Sequence, residues 1–439
     1  PADVTGTHGG PSAVVTLTDL TTEGVAAFTD DLTNSGVDVR SVQYVFTPKI
    51  DGGDGGVCGN GVPETVTIEI NPQPRITVLE EDGVLCYDGD VSIAVTRPNT
   101  PNAGGSWLYD VEITYPADVT GTHGGPSAVV TLTDLTTEGV AAFTDDLTNS
   151  GVDVQDVIYV FTPKIDGGDG DAVCVNGVPE TVTIAINPRP RITVLEEDGV
   201  LCHDGDVSIA VTRPNTFNAG GSWLYDVEIT YPADVTGTHG GPSAVVTLTD
   251  LTAEGVTAFT DDLTNSGVDV RSVQYVFTPK IDGGDGDAVC ENGVPQTKSI
   301  EINPQPRITV LEEDGVLCYD GDVSIAVTRP NTPNAIGTWL YDVEITYPAD
   351  VTGTHGGPSA VVTLTDLTTE GVAAFTDDLT NSGVDVRSVQ YVFTPKIDGG
   401  DGGVCGNGVP ETVTIEINPQ PRITVLEEDG VLCYDGDVS

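Results

Sequence analysis

The chain has 439 residues, of which 16 are lysine or arginine and 68 are aspartate or glutamate, so its formal net charge is -52. This balance excludes nucleic acid as a partner class, because binding phosphates needs a basic surface. No apolar run approaches the roughly 20 residues of a membrane-spanning helix. The acidic charge is typical of a solvated coat that keeps copies apart where salt or divalent cations screen it.

The chain is a tandem array of one sequence unit. The stretch "YVFTPKIDGGDG" occurs four times, beginning at Tyr44, Tyr159, Tyr275 and Tyr391. We predict a partial repeat at 1–74, complete repeats at 75–190, 191–306 and 307–421, and the start of a further repeat at 422–439. Since Pro1 aligns with Pro116 in mid-repeat and methionine is absent, we expect the sequence to be an excerpt of a longer mature protein.

Short runs that alternate apolar and polar residues fill the repeat at 75–190, and a period of two is typical of a half-buried strand. In chain order these runs are "RITVL", "DVSIAVT", "SWLYDVEITY", "AVVTLTDL", "VAAFTDDL", "VIYVFTP" and "TVTIAI". The fifth run also fits a short helical turn through Val140, Phe143 and Leu147, and we predict a strand there. About seven strands separated by glycine, proline, asparagine and aspartate turns predict an all-β fold, an immunoglobulin-like sandwich of two antiparallel sheets.

The tryptophan of the third run lies on its apolar face, which predicts a core residue and not a ligand-stacking one. It is Trp107, and it recurs as Trp223 and Trp339. Between units, "INPQPRITV" or "INPRPRITV" places two prolines around one residue. This pattern holds the chain extended and removes backbone donors, so we predict stiff connectors and a linear rod of sandwiches.

The whole repeat resembles one known family of repeats. The order "LCYDGDVSIAVT", a tryptophan strand, "DDLTNSG", "VQYVFTPKIDGG" and "NGVPETVTIEINPQP" is similar to the PKD-like and Ig-like repeats of very large surface proteins of Bacteroidota. Those proteins are exported by the type IX secretion system, and they include gliding-motility adhesins. The resemblance implies a stalk, filament or adhesin region that is secreted or lies at the cell surface.

Two cysteines occur in each repeat, and neighbouring cysteines 28 residues apart form four pairs: Cys58 and Cys86, Cys174 and Cys202, Cys290 and Cys318, Cys405 and Cys433. Even numbers without metal-ligand spacing predict disulfides in an oxidising, extracellular compartment. We favour the 28-residue pairs, which would meet if the chain folded back at the NPxP connector. The alternative is Cys86 with Cys174, although their loops lie at opposite ends of a standard sandwich.

The loop "DGGDGD" carries carboxylates of the kind that calcium prefers. In two copies they are Asp166, Asp169 and Asp171, and Asp282, Asp285 and Asp287. The spacing fits neither an EF-hand nor a stacked nonapeptide loop, and the first and last copies read "DGGDGG". A calcium site is therefore one prediction, and a glycine-rich turn with solvated carboxylates is the other. No redox or organic cofactor is expected.

Histidine occurs once per repeat in "GTHGGP", at His8, His123, His239 and His355, and isolation between glycines predicts a turn residue. His203 stands where another copy has Tyr87, which indicates a tolerated surface change. No Ser-His-Asp order, nucleophile elbow, phosphate loop or metalloprotease helix occurs in the sequence. We therefore predict no catalytic residue and no enzyme.

Three functions fit these features. The leading hypothesis is the structural shaft of an extracellular filament or surface adhesin, whose partners are neighbouring repeats of the same chain. The second is a repeated module that binds calcium, a glycan or another surface ligand with avidity. The third is a sheath or fibre in which other copies of the chain pack laterally.

Overall fold

A computed structural model describes residues 1–58, 61–168, 170, 173–175, 177–196, 199–284, 289–291, 293–400, 403–406 and 408–425. Asp169, Asp171, Asp285, Asp287 and Cys433 lie outside the described residues. Every regular element in the described ranges is a strand, and the strands form tandem sandwiches. The predicted all-β, immunoglobulin-like sandwich class is confirmed.

The partial repeat at 1–74 contains six strands. They are β1 (Val4–Thr5), β2 (Thr33–Asn34), β3 (Arg40–Phe46), β4 (Ile50–Asp51), β5 (Val57–Cys58) and β6 (Glu64–Ile70). These strands pair two by two, as β1 with β2, β3 with β6 and β4 with β5. The segment aligns with the later part of a complete repeat, so some side chains lack the neighbours that bury them there: Ile68 is 43% exposed, whereas its equivalent Ile184 is fully buried.

The first complete repeat is a sandwich of nine strands. They are β7 (Thr77–Glu80), β8 (Val84–Leu85), β9 (Asp88–Thr96), β10 (Ser106–Thr114), β11 (Val119–Thr120), β12 (Val129–Leu135), β13 (Gly139–Asn149), β14 (Gln155–Asp166) and β15 (Glu180–Ile186). One sheet has the order β12-β10-β14-β15-β8 and the other β11-β13-β9-β7. All of these pairs are antiparallel except β8 with β15, which is parallel. Each of the seven predicted runs overlaps one of these strands, including the ambiguous run, which lies in β13.

The next two repeats reproduce this arrangement. The second has β16 (Thr193–Glu196), β17 (Val200–Leu201), β18 (Asp204–Thr212), β19 (Ser222–Thr230), β20 (Val235–Thr236), β21 (Val245–Leu251), β22 (Gly255–Asn265), β23 (Arg271–Asp282) and β24 (Gln296–Ile302). The third has β25 (Thr309–Glu312), β26 (Val316–Leu317), β27 (Asp320–Thr328), β28 (Thr338–Thr346), β29 (Val351–Thr352), β30 (Val361–Leu367), β31 (Gly371–Asn381), β32 (Arg387–Asp398), β33 (Val404–Cys405) and β34 (Glu411–Ile417).

The chain divides into two compact units that do not follow the sequence repeats. One comprises Pro1–Arg191, Pro214–Leu224 and Pro279–Val294, and the other comprises Ile192–Arg213, Tyr225–Thr278 and Pro295–Ser439. The first unit therefore holds the partial repeat, the first complete repeat and two segments of the second. The repeat boundaries and the linear rod stay predictions.

The cores are filled by the apolar faces of the long strands. Residues of β10 are alternately buried and partly exposed, as the period of two predicts. Trp107, Trp223 and Trp339 are 3%, 4% and 2% exposed. From the opposite sheet, Phe143 meets Tyr159 and Phe161 edge-on, with ring centroids 5.6 Å apart in both pairs. Aromatic contacts between the two sheets therefore hold the sandwich together.

Strand β24 departs from the pattern of its equivalents at one position. Lys298 stands where β15 has Val182 and β34 has Val413, each 4% exposed. The Lys298 ammonium lies 2.5 Å from a carboxylate oxygen of Glu196. Its hydrogen bond lowers the pKa of Glu196 below the ordinary value, although burial of the carboxylate opposes this shift. The second repeat therefore carries an ion pair where the others carry a buried valine.

We expect Lys298→Val to leave the second repeat at least as stable at pH 7, with a gain of up to about 2 kcal/mol, because the site accepts valine in two other repeats. The folded state lowers the pKa of Glu196, so the contribution of the pair is present above pH ~4.3 and is lost as the pH falls through the folded pKa. The parent should consequently lose more stability on acidification than the variant. Circular dichroism midpoints at pH 7 and pH 3 measure both effects, and a variant that is less stable at pH 7 contradicts this view of the pair.

Candidate functional site

Buried asparagines form hydrogen bonds that stabilise the junction between the second and third repeats. Asn303, Asn331 and Asn334 are 0%, 4% and 2% exposed. The backbone N–H of Asn334 donates to Asn303 Oδ1 at 2.9 Å, and its Nδ2 donates to Gly399 O at 2.9 Å. The backbone N–H of Arg307, the first residue after the NPQP connector, donates to Asn331 Oδ1. Side-chain amides thus fix a connector whose prolines supply no N–H of their own.

Backbone hydrogen bonds also cross this junction, from the loop after β27 to the loop between β22 and β23. Val270 N–H donates to Thr332 O and Thr332 N–H donates to Val268 O, both at 3.0 Å. Asn331 Nδ2 donates to the same Val268 oxygen at 3.3 Å. These residues all belong to the second compact unit. Consecutive repeats are therefore joined by a short bridge of backbone bonds as well as by the connector.

The same clamp occurs at the two earlier junctions, both within the first compact unit. Thr100 N–H donates to Val37 O at 3.1 Å, and Thr216 N–H donates to Val152 O at 3.1 Å. These asparagines were not among the residues predicted from the sequence. Their signal was the pairing of "NPQP" or "NPRP" with a second asparagine-rich loop, "RPNTPN" or "RPNTFN", in the following repeat.

We expect Asn331→Asp to weaken the clamp by about 1–3 kcal/mol, because a carboxylate keeps the acceptor for Arg307 N–H but offers no donor to Val268 O. Amide exchange of Thr332 should accelerate, and it can be followed in peptides that include the distinctive "NAIGTW" stretch. Asn331→Ala loses the acceptor as well and should accelerate exchange further. Equal exchange in the parent and both variants contradicts the clamp.

Disulfides reinforce the two junctions between complete repeats. Cys86 bonds Cys290 and Cys202 bonds Cys405, with Cα atoms 5.5 and 5.3 Å apart and sequence separations of 204 and 203 residues. Each bridge joins a cysteine that ends a "VLC" sequence to a cysteine in the hairpin before the last long strand of the following repeat. We call Cys86, Cys202 and Cys318 the VLC cysteines. The hairpin cysteines are Cys58, Cys174, Cys290 and Cys405. Each bridge lies within one compact unit.

Strand pairing brings the VLC cysteine to the end of its repeat. Cys86 follows β8, the two-residue strand that runs parallel to the end of β15. Asn187, the first residue of the connector, donates its backbone N–H to Leu85 O at 2.9 Å. Cys86 therefore lies beside the connector to the second repeat.

The hairpin cysteine meets that connector from the other side. Cys290 pairs with Ile281 at the end of β23, where the two residues exchange backbone hydrogen bonds of 2.7 and 3.3 Å. Val294, four residues on, donates its N–H to Pro190 O at 3.0 Å. The connector and the disulfide therefore cross the same junction side by side, which gives it two covalent links.

This connectivity differs from both predicted pairings. Each 28-residue pair has one member that bonds elsewhere, namely Cys86, Cys202, Cys290 or Cys405. The chain does not fold back at NPxP but continues into the next repeat, so those cysteines do not meet. Cys86 and Cys174 lie at opposite ends of β15, which excludes the alternative. Within the described ranges Cys58, Cys174 and Cys318 are free thiols.

A buried carboxylate lies between the two sheets of each complete repeat. Asp145, which is 1% exposed, accepts from Tyr115 OH at 2.6 Å, from Tyr159 OH at 3.0 Å and from Thr122 N–H at 2.7 Å. Burial raises the pKa of both tyrosines, and the Asp145 charge raises it further. Asp261 and Asp377 have equivalent partners. This group was not predicted from the sequence, although the alternation in "FTDDL" places Asp145 on the buried face with Phe143.

A lysine of strand β14 forms ion pairs with carboxylates of β10 and β12 in the first complete repeat. Lys164 Nζ lies 2.6 Å from a carboxylate oxygen of Asp110 and 2.6 Å from one of Asp134. Asp134 has a φ of 60°, next to an irregularity in the pairing of β10 with β12. The ammonium and the Asp110 carboxylate, which accepts the Asp134 N–H at 2.9 Å, hold this unusual backbone conformation.

The described members of the "DGGDGD" loop form turns. Asp166 Oδ1 accepts from Gly168 N–H and Asp282 Oδ1 accepts from Gly284 N–H, both at 3.0 Å. No group of three or more histidine, cysteine, aspartate or glutamate side chains in the described ranges is placed to hold a metal ion. Since Asp169, Asp171, Asp285 and Asp287 lie outside those ranges, calcium binding stays a prediction. The His123 ring is tilted by 32° against that of Phe143, with ring centroids 5.3 Å apart, and its Nε2 lies 3.0 Å from Thr144 O.

No family model and no curated protein matches the chain. Among solved structures it is similar to FdeC, an Escherichia coli adhesin, at 12% identity and a TM-score of 0.32 over 79% of this chain and 96% of that one. It is also similar to mouse cadherin-23 EC22-24, at 9% identity and a TM-score of 0.30 over 80% and 99% of the two chains. A third similar structure is chicken CNTN1 FN1-FN3, at 14% identity and a TM-score of 0.22 over 79% and 98%. Similarity at this level carries no inference about function.

The described residues contain no helix with the length and apolar character that crossing a membrane requires.

Proposed function

We propose that the chain is part of the structural shaft of a long extracellular filament or surface adhesin, a spacer built from disulfide-bonded Ig-like repeats. The observation that carries this proposal is the construction of the junctions between complete repeats. A connector, an asparagine clamp and a disulfide join each repeat to the next. A spacer must keep its repeats together under load, and two covalent links per junction serve that requirement.

Chemistry and sequence support an extracellular location. Disulfides persist in oxidising compartments, and a net charge of -52 favours a soluble, self-repelling chain. The resemblance of the repeats to Bacteroidota surface proteins extends the proposal to export by the type IX system and to a role in adhesion or gliding motility. In this role the repeats are structural and the ligand is bound elsewhere.

Labelling of intact cells tests the proposal. Antibodies raised against the purified chain should label intact source cells. Electron microscopy should show the label at a distance from the outer surface of the cell, as expected for a spacer that extends outwards. Permeabilisation should add little signal. Labelling that appears only after permeabilisation contradicts an extracellular shaft.

Calcium binding by the acidic loops would convert a passive spacer into a calcium-stiffened one. Calorimetric unfolding under non-reducing conditions, with calcium and with chelator, separates the two. A large rise of the midpoint in calcium supports an ion site in "DGGDGD", and an unchanged midpoint supports a turn with solvated carboxylates. Association that depends on concentration and is reversed by chelator would instead favour lateral assembly with other copies.

A further inference from the structure

Building on the proposed role as a shaft, we propose that the disulfides create a load path that crosses the second repeat through strands β17 and β24 and bypasses most of its sandwich. In this arrangement the oxidised chain cannot be lengthened by unfolding its complete repeats one at a time. The inference depends on which cysteines are joined and on where the strands place them.

The second repeat has four covalent attachments to its neighbours. The connector at Arg191 and the disulfide at Cys290 lead to the first repeat, and the disulfide at Cys202 and the connector at Asn303 lead to the third. Two short segments of backbone link these attachments. Segment 191–202 links the first connector to Cys202, and segment 290–303 links Cys290 to the second connector. Most of the sandwich, from β18 to β23, lies outside both segments and need not transmit tension.

The two short segments are themselves joined within the second compact unit. Strand β17 runs parallel to β24, with Val200 opposite Glu301 and Leu201 opposite Ile302. Asn303 N–H donates to Leu201 O at 2.9 Å. A pull along two parallel strands loads their hydrogen bonds together and not one after another, because these bonds run between the strands. Force that enters at Cys290 can therefore pass through β24 to Cys202.

The two disulfide loops also interlock along the chain. In sequence order the bonded residues are Cys86, Cys202, Cys290 and Cys405, so each loop encloses one end of the other. The two bridges are therefore connected to each other by three separate backbone segments, and each segment contains most of one complete repeat. The segments are 86–202, 202–290 and 290–405. When one repeat unfolds, the other two segments still carry the force between the bridges. The shortest segment limits the final distance between the bridges.

The free thiols follow the same rule. Cys174 pairs with Ile165 as Cys290 pairs with Ile281, so it occupies the position of a bonded hairpin cysteine. The rule joins a VLC cysteine to the hairpin cysteine of the following repeat, and the partners that it assigns to Cys174 and Cys318 fall outside residues 1–439. In an array continued by this rule, each bridge would be linked to the bridge two places further on by a 28-residue segment, as 290–318 links the Cys86–Cys290 bridge to the bridge of Cys318. Each such segment reaches at most about 100 Å when fully extended.

Single-molecule force spectroscopy on the full chain, held by its two ends, tests the load path. In reducing buffer we expect three unfolding steps, each with the length of one complete repeat, or roughly 400 Å of released chain. In the oxidised chain these steps should be absent. Cys58→Ser with Cys174→Ser and Cys318→Ser removes the free thiols of the described residues without touching either bridge, and it should behave as the parent in both buffers.

Variants that lack one bridge sharpen the test, because each should release one identified repeat. Cys86→Ser with Cys290→Ser leaves the Cys202–Cys405 loop, so only the first repeat should unfold in a full step. Cys202→Ser with Cys405→Ser leaves the Cys86–Cys290 loop, so only the third should. Three full steps in the oxidised parent, or peptide mapping that finds the 28-residue pairs, would overturn the load path.

The load path and the shaft role can fail separately. Surface labelling of cells together with identical unfolding of oxidised and reduced chains overturns the load path and leaves the shaft role standing. The expected step pattern together with an intracellular label overturns the shaft role and leaves the load path standing.

Discussion

Replacing Asp377 with alanine should lower the unfolding free energy of the third repeat by about 3–5 kcal/mol. The carboxylate is 1% exposed and accepts from Tyr347 OH at 2.6 Å, from Tyr391 OH at 2.9 Å and from Thr354 N–H at 2.7 Å. Alanine leaves these donors buried without an acceptor, and each orphaned polar group costs about 1–3 kcal/mol.

The tryptophans provide a reporter for each repeat, because the chain has three and each complete repeat holds one. Trp107→Phe with Trp223→Phe leaves Trp339 to report the third repeat. In this background Asp377→Ala should unfold at a clearly lower denaturant concentration. Asp378→Ala is the matched control, because Asp378 is the next residue and is exposed. Equal midpoints for the two variants would contradict the role assigned to Asp377.

The sandwich could be predicted from the sequence because strand periodicity is a local signal. Trp107 and Ile113 are buried in β10, and Glu112, which lies between them in sequence, is exposed, as the alternation of "SWLYDVEITY" requires. The same alternation extends to Asp145, but among 68 acidic residues nothing in the sequence singles this one out from the solvated acidic coat. Its two tyrosine partners lie 30 and 14 residues away, and no local pattern connects them.

The disulfides could not be predicted because long-range strand pairing determines them. Strand β8 has two residues, Val84 and Leu85, which is too short to show a period. Yet its parallel pairing with β15 carries Cys86 to the end of the repeat, beside the connector. Spacing along the chain favoured partners 28 residues away, whereas the sheet places the true partner 204 residues away.

Replacing Trp339 with alanine is expected to destabilise the third repeat by about 3–5 kcal/mol, which is typical for removing a buried tryptophan. Trp339 is 2% exposed, its ring lies 5.5 Å from that of Tyr341, and Nε1 donates to Arg307 O at 3.3 Å. The variant therefore opens a cavity in the core and also releases the residue that follows the NPQP connector. Trp339→Phe keeps most of the apolar volume and should cost less than half as much.

The measurement compares two signals in reducing buffer, where no disulfide couples the repeats. Far-UV circular dichroism follows all strands, whereas fluorescence follows Trp107 and Trp223, which remain in the first and second repeats. Because the first and third repeats have separate cores, the dichroism of Trp339→Ala should show an early step while the fluorescence midpoint stays at its parental value. A fluorescence midpoint that falls together with the dichroism would mean that the repeats unfold as one cooperative body. In that case the junction clamps, and not the separate cores, would set the stability of the array.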